Sequence, residues 1–332
     1  YPKVALGNWP PVFYLIQSAW TLPFSPSHAS VLRLMAVLAA LLASLLFLAL
    51  KREFGPVKAG FGTTLLLALP LIQQHAGMVM TEIPVALLSL LATLCFARFL
   101  EREETLDSLL FGLFAALAIL TKGSGLMLAL VPPLALLFSR KFHLLKKTAF
   151  WYPVPIVLVL CGPWTWKFRE EARAGWMEGN PSWHFTQQAL IYYPKKLVLA
   201  VGFGLAIIAI IGLVVKLCPR MNGRPPSAHW SAAGALLLGV LFMHLLVPCG
   251  LEPRHLVPAL PALVMFILAG TDWLAQWLHR KGQSPRSATT RAYALLTAPF
   301  LTARVPAPPK GHSGFSGAAQ DILNDPATAQ AV

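Results

Sequence analysis

Apolar residues in this chain come in long unbroken runs. They occupy 31–50, 57–75, 83–99, 109–120, 125–138, 149–164, 197–217, 231–248 and 256–275, with a weaker tenth at Ala292–Leu301. A membrane-crossing helix needs roughly 20 mostly apolar residues, and about 17 to 25 serve. No alternation of period two accompanies these Leu- and Ala-rich runs, so they are not the strands of a membrane barrel. Backbone exposed to lipid then has to be helical. The pattern predicts an all-α, polytopic transmembrane bundle of about nine to ten spans. Several shorter runs lie beside Gly, Pro or Lys and are expected to be tilted, broken or partly re-entrant.

The polar positions between the runs are not evenly charged. Lys51, Arg52 and Lys58 follow the first run, Arg98 and Arg102 close the third, and Arg140, Lys141, Lys146 and Lys147 follow the fifth. Lys216, Arg220 and Arg224 follow the seventh, and Arg280, Lys281, Arg286 and Arg291 follow the ninth. Basic clusters in alternate loops mark the cytoplasmic side. The membrane domain is therefore read as 31–303, with residues 1–30 an external amphipathic segment and 165–196 a long external loop. Residues 304–332 are read as the polar start of a truncated C-terminal region. An external start without an export signal predicts at least one further span upstream of Tyr1, and hence an internal fragment of a longer chain.

Composition agrees. Of 332 residues, 56% are hydrophobic and 12% charged, half the roughly 25% charged residues of soluble domains. That abundance of apolar residues excludes intrinsic disorder. The formal net charge of +14 would suggest nucleic acid in a soluble domain. Here the alternate loops absorb it, and no nucleic-acid partner is expected.

Ionisable residues near membrane depth are functional candidates by default, and the informative ones gather on the external side. His75 and Glu82 lie in QQHAGMVMTEIP, Lys122 in LTKGSG, and Glu252, Arg254 and His255 in PCGLEPRHLVPALPAL. Glu82 reads either as a first-turn acid favoured by the helix dipole or as a carboxylate at the mouth of an external cavity. Lys122 interrupts an apolar hairpin whose glycines let the backbone turn closely. It either snorkels to the headgroups or meets a lipid phosphate. Arg254 offers a fork for a phosphate or simply pairs with Glu252. His75 reads as a polar interface residue, and with no HxxE or HxxxH pair a tightly held metal has no support.

Trp166, Trp176, Trp183, His184, Tyr192 and Tyr193 crowd the 165–196 stretch. They suit an interfacial belt, and equally a surface that stacks on sugar rings. Cys161 and Cys249 both fall near external ends of runs, which leaves a disulfide between them open. No GxxxxGK[ST], GxSxG or GxGxxG occurs, so ATP-driven transport, a serine-hydrolase elbow and a dinucleotide fold lack a motif.

In order, GNWPPVFYLIQSAW, Arg33-Leu34, MTEIPVALLSLLA, LAILTKGSGLMLALVPPLALL and EPRHLVPALPALVMF resemble the GT-C superfamily of membrane glycosyltransferases. The likeness is to the protein mannosyltransferase and aminoarabinose lipid A transferase type, in a bacterial form, and covers roughly residues 1–275. It implies inverting transfer of a sugar from a polyprenyl-phosphate donor to a protein, lipid or glycan acceptor. The site would face the outside or periplasm of the inner membrane. Glu82 matches the family's second acidic position, which orients the acceptor or a metal, so a divalent cation such as Mg2+ or Mn2+ has a place in the expectation. Lys122 and Arg254 match the residues that meet the donor phosphate, with Glu252, His255 and His75 in support. The principal base is expected upstream of Tyr1. Trp9-Pro10-Pro11 stands where the family often has His-Pro-Pro, so no role follows for that His. The competing reading is a non-enzymatic transporter or flippase of a lipid-linked sugar, since transporters also use broken helices.

Overall fold

A computed structural model describes residues 9–171, 179–219 and 223–302, with the side chains of 295 and 297–302 left out. Residues 1–8, Trp176, Arg220 and the stretch 304–332 lie outside the described residues. Those described form helices and no sheet, as the apolar runs predict.

A ten-residue helix, α1 (Val12–Thr21), is too short to span. Its Val12 N–H donates to the Leu120 carbonyl at 2.9 Å, which seats it against the Lys122 hairpin. The first long helix, α2 (His28–Phe54), starts at Ser27, whose hydroxyl accepts from the Ser30 N–H, and stops at Gly55 with φ 79°. A hydroxyl cap and a left-handed glycine are the expected start and stop signals.

The apolar run 57–75 breaks at Leu69–Pro70 into α3 (Pro56–Ala68) and α4 (Pro70–Ala76), because Pro70 cannot supply the N–H that would continue the helix. The span α5 (Glu82–Arg102) follows, then α6 (Thr105–Ile119), a 3-10 turn over Gly123–Leu130, and α7 (Val131–Ser139). Helices α8 (Thr148–Trp151) and α9 (Pro153–Lys167) act as one span. The segment read as a long loop is helical over its second part: α10 (Trp183–Val201) is capped by Ser182 and bends by 108° at Gly202 into α11 (Phe203–Leu217). The bundle closes with α12 (Ala228–Leu246), a 3-10 turn over Pro253–Ala259, α13 (Leu260–Arg280) and α14 (Pro285–Thr302).

Among the described residues, five helices are long and apolar enough to cross a membrane, or six if the bent α10–α11 pair is one span. The nine to ten apolar runs all become helical, but the shorter ones are halves of hairpins or broken helices. They stop short where Gly, Pro or Lys interrupts them.

Helix α13 is buried nearly all round, as a central helix must be. Lipid tails are as apolar as Leu, so close backbone approach between small residues has to hold spans together. Gly212 of α11 and Gly270 of α13 provide it: a Cβ on Gly212 would run into the Phe266 carbonyl, and one on Gly270 into the Ile208 carbonyl.

The basic clusters gather at one end. Arg52 meets Glu101 at 3.0 Å, Lys216 meets Glu53 at 2.9 Å, and Glu103 pairs with His143 and Lys147. The starts of α5 and of the Pro253–Ala259 turn lie at the other end, since Glu82 and Glu101 are 19 residues apart on one helix, about 28 Å by helical rise.

Candidate functional site

At that other end the chain places charge inside the protein. Glu82 opens α5, with Pro84 in the same turn, where proline costs no hydrogen bond and the dipole favours an acid. Its side chain is 2% exposed. Lys122 lies in extended backbone between α6 and the 3-10 turn. Its N–H donates to the Ala118 carbonyl at 3.0 Å, and its carbonyl accepts from Gly125 at 2.8 Å. Gly125 is what lets the turn fold onto α6: a Cβ there would lie 2.6 Å from the backbone of Ala118 and Ile119. The turn directs the ammonium inward, where Lys122 Nζ donates to Glu82 Oε1 at 2.7 Å. Lys122 is itself 5% exposed.

Arg254, on the turn before α13, brings Nε to 3.8 Å from the same Glu82 oxygen and also pairs with Glu252. Glu82 therefore faces two cations through Oε1, while Oε2 is buried without a hydrogen-bond partner among the described residues. His75 on α4 is buried, its Nδ1 2.8 Å from the Leu71 carbonyl. The sequence candidates thus converge: Glu82, Lys122, Arg254 and Glu252 form one ion-pair chain, with His75 and His255 buried around it.

Burying a carboxylate and an ammonium costs several kcal/mol per ion, which their attraction offsets only with good geometry. The 2.7 Å contact meets that condition. The arrangement does not suit Mg2+ or Mn2+, which need several oxygen ligands. Glu82 and Glu252 are the carboxylates here, and each is already held by a cation.

Beside this chain stands a cluster that the sequence reading passed over. His244 near the end of α12, Cys249 and His255 converge, and the Tyr193 hydroxyl donates to the Gly250 carbonyl at 2.8 Å and lies 3.0 Å from His255 Nδ1. The available signal was His244 itself, an imidazole inside an apolar run. All four cysteines are thiols. Cys161 packs against Ala116 and Ile119 and Cys249 sits beside His244, so the Cys161–Cys249 bridge left open by the sequence does not form.

Two cavities of about 580 and 350 Å3 open at the opposite end, beside Phe54, Lys58 and Tyr293 and beside Glu53, Lys216 and Trp230. Neither reaches Glu82.

Residues 8–166 match the family model for dolichyl-phosphate-mannose-protein mannosyltransferase. No curated protein sequence matches significantly. Among solved structures, ArnT from Cupriavidus metallidurans bound to undecaprenyl phosphate aligns with a TM-score of 0.62 at 19% identity, over 90% of this chain and 56% of that one. The same protein in its apo state aligns at 0.61, over 90% of this chain and 55% of that one, again at 19% identity. The chain thus spans little more than half the length of the structures it matches. The chain therefore shares the fold of that protein, and just under half of it resembles the mannosyltransferase family.

Proposed function

We propose that this protein transfers a sugar from a polyprenyl-phosphate donor to an acceptor, at the end of the bundle where Glu82, Lys122 and Arg254 meet. The observation that carries this reading is the convergence of two cations, Lys122 buried and Arg254 partly exposed, on one buried carboxylate oxygen. Glu252 is half exposed and can turn to water. Lys122 and Arg254 then face Glu82 alone, one positive charge in excess, in a setting with little water to screen it. A phosphate monoanion is the ligand that such an excess selects. The mannosyltransferase match and the fold shared with an undecaprenyl-phosphate-bound protein support a lipid-linked phosphate in that role.

Each residue then has a task. Lys122 has three N–H donors, of which Glu82 takes one, so the others can reach phosphate oxygens. Arg254 adds a planar fork suited to phosphate. As the sugar–oxygen bond breaks, negative charge grows on the departing phosphate, and cations fixed beforehand stabilise it without reorganising. Glu82 Oε2 can accept a hydrogen bond from the acceptor's hydroxyl or amine and orient it. Inversion needs the acceptor on the face of the sugar opposite the phosphate, which a carboxylate adjoining the cations can arrange. No residue of this chain is assigned as the acceptor's base. The site is expected to face the periplasm or exterior, since the basic clusters that mark the cytoplasmic side lie at the far end.

The 108° bend between α10 and α11 is the feature that favours the transporter reading, because transporters use discontinuous helices. Radiolabelled sugar supplied as a polyprenyl-phosphate adduct to vesicles carrying the full chain separates the two. Label covalently attached to an acceptor, and reduced roughly a hundredfold or more in Lys122→Ala and Arg254→Ala, is the expected result. Wild-type transfer in both variants would overturn the assignment, and label that crosses the membrane unattached would favour the transporter.

A further inference from the structure

His244 and His255 stack face to face, with centroids 4.6 Å apart and 7° between their planes. Cys249 Sγ lies 3.1 Å from His244 Nδ1 and 4.0 Å from His255 Nδ1. One ligand atom from each of the three lies within 4.8 Å of the other two. The histidines are 1% and 5% exposed, and His244 Nε2 is buried with no hydrogen-bond partner among the described residues. Packing alone would be served by Leu or Phe at 244 without stranding a ring nitrogen, and buried polar atoms are ordinarily paired. Two imidazoles and a thiol meeting at one point form the donor set of a borderline-soft metal ion.

We propose that His244, Cys249 and His255 bind a transition-metal ion, Zn2+ in the first instance. Zinc–ligand distances of about 2.0–2.3 Å place tetrahedral donors ~3.3–3.8 Å apart, so binding closes the observed spacing by turning the stacked rings until one nitrogen of each faces the sulfur. Cys249 binds as thiolate, its proton released to water as the metal–sulfur bond forms. The Tyr193 hydroxyl holds His255 Nδ1, so His255 would bind the ion through Nε2, with Tyr193 as the outer partner that fixes the ring. The three ligands straddle the turn that carries Glu252, so the ion would tie the Arg254 turn to the end of α12. This site is independent of the sugar-transfer reading, because the ion can bind whatever Arg254 does.

The test uses the untagged full chain in detergent, loaded with Zn2+ and freed of excess, and metal per chain is measured by mass spectrometry. Co2+ replacement then reports a thiolate ligand through its near-ultraviolet charge-transfer band. About one zinc per chain and a clear band are expected for a three-ligand site. Cys249→Ser should abolish the band and weaken zinc at least about tenfold, Tyr193→Phe should weaken it ~10-fold, and Cys218→Ser should change neither. Cu+ held with the same Cys249 dependence would uphold the site and change its metal. Wild-type protein that retains no stoichiometric metal and shows no band overturns the proposal, and that readout does not depend on any variant folding. Loss of sugar transfer with zinc still bound would count against the sugar-transfer reading alone.

Discussion

The two ends of the bundle use the same ion-pair chemistry in opposite surroundings. At one end Arg52 and Glu101 pair at 3.0 Å with side chains 70% and 49% exposed, and Glu103 pairs with His143 and Lys147 nearby. At the other, Glu82 and Lys122 pair at 2.7 Å with side chains 2% and 6% exposed. Exposed pairs contribute about 0–1 kcal/mol because water already solvates both partners. A buried pair is weak evidence of net stabilisation, yet removing one partner strands the other charge, at about 3–5 kcal/mol. The exposed end can therefore drift without consequence for the fold. Charges kept at the buried end call for a dependence beyond stability, which the proposed phosphate binding would supply.

The largest expected effect comes from breaking the buried pair on one side. Lys122→Ala or Glu82→Ala should destabilise the protein by about 3–5 kcal/mol, read as a lowered thermal midpoint in detergent. The double variant Glu82→Gln with Lys122→Met leaves no stranded charge and should recover most of that loss. A double variant as unstable as the singles would mean that the pair itself holds the fold.

A smaller effect tests the packing between the two ends. Gly212→Ala forces a Cβ against the Phe266 carbonyl and should cost ~1–3 kcal/mol as α11 and α13 separate. An unchanged melting midpoint would show that this crossing is not as close as described.

The smallest effects lie at the exposed end. Arg52→Ala should change stability by at most about 0.5 kcal/mol. Hydrogen bonds from Lys147, then from His143, hold the Glu103 carboxyl down at about 2 from an ordinary 4.5. Because the folded value is the lower one, this contribution is present above about pH 4.5 and fades as pH falls towards 2. Wild type should therefore lose slightly more stability than Glu103→Gln across that window in acid unfolding, and equal losses would remove the exposed pair from the account.

The contrast between the ends was only partly legible in the chain. Apolar runs give helices directly, because lipid leaves no other way to satisfy backbone groups, and basic residues from several loops meet acids at one end. Glu82, Lys122 and Arg254 stand out singly, since charges beside apolar runs are costly. Their contacts do not stand out. The Lys122–Glu82 bond joins residues 40 apart, through a turn that depends on Gly125 fitting against α6. Periodicity carries no record of such a fit. The breaks at Pro70 and Gly202 divide apolar runs by backbone geometry that hydropathy does not register. His244 was overlooked because its neighbours are uniformly apolar, and only folding brings Cys249 and His255 to it.

The most direct measurement is the affinity of the purified full chain for undecaprenyl phosphate, compared between wild type and the charge-neutral Glu82→Gln/Lys122→Met variant, with Arg52→Ala as the exposed-end control. The buried Lys122 is expected to set much of that affinity, so the double variant should fold as wild type yet bind at least about tenfold more weakly, a loss of ~1.4 kcal/mol or more, while Arg52→Ala binds unchanged. Equal affinity in all three proteins would contradict the account.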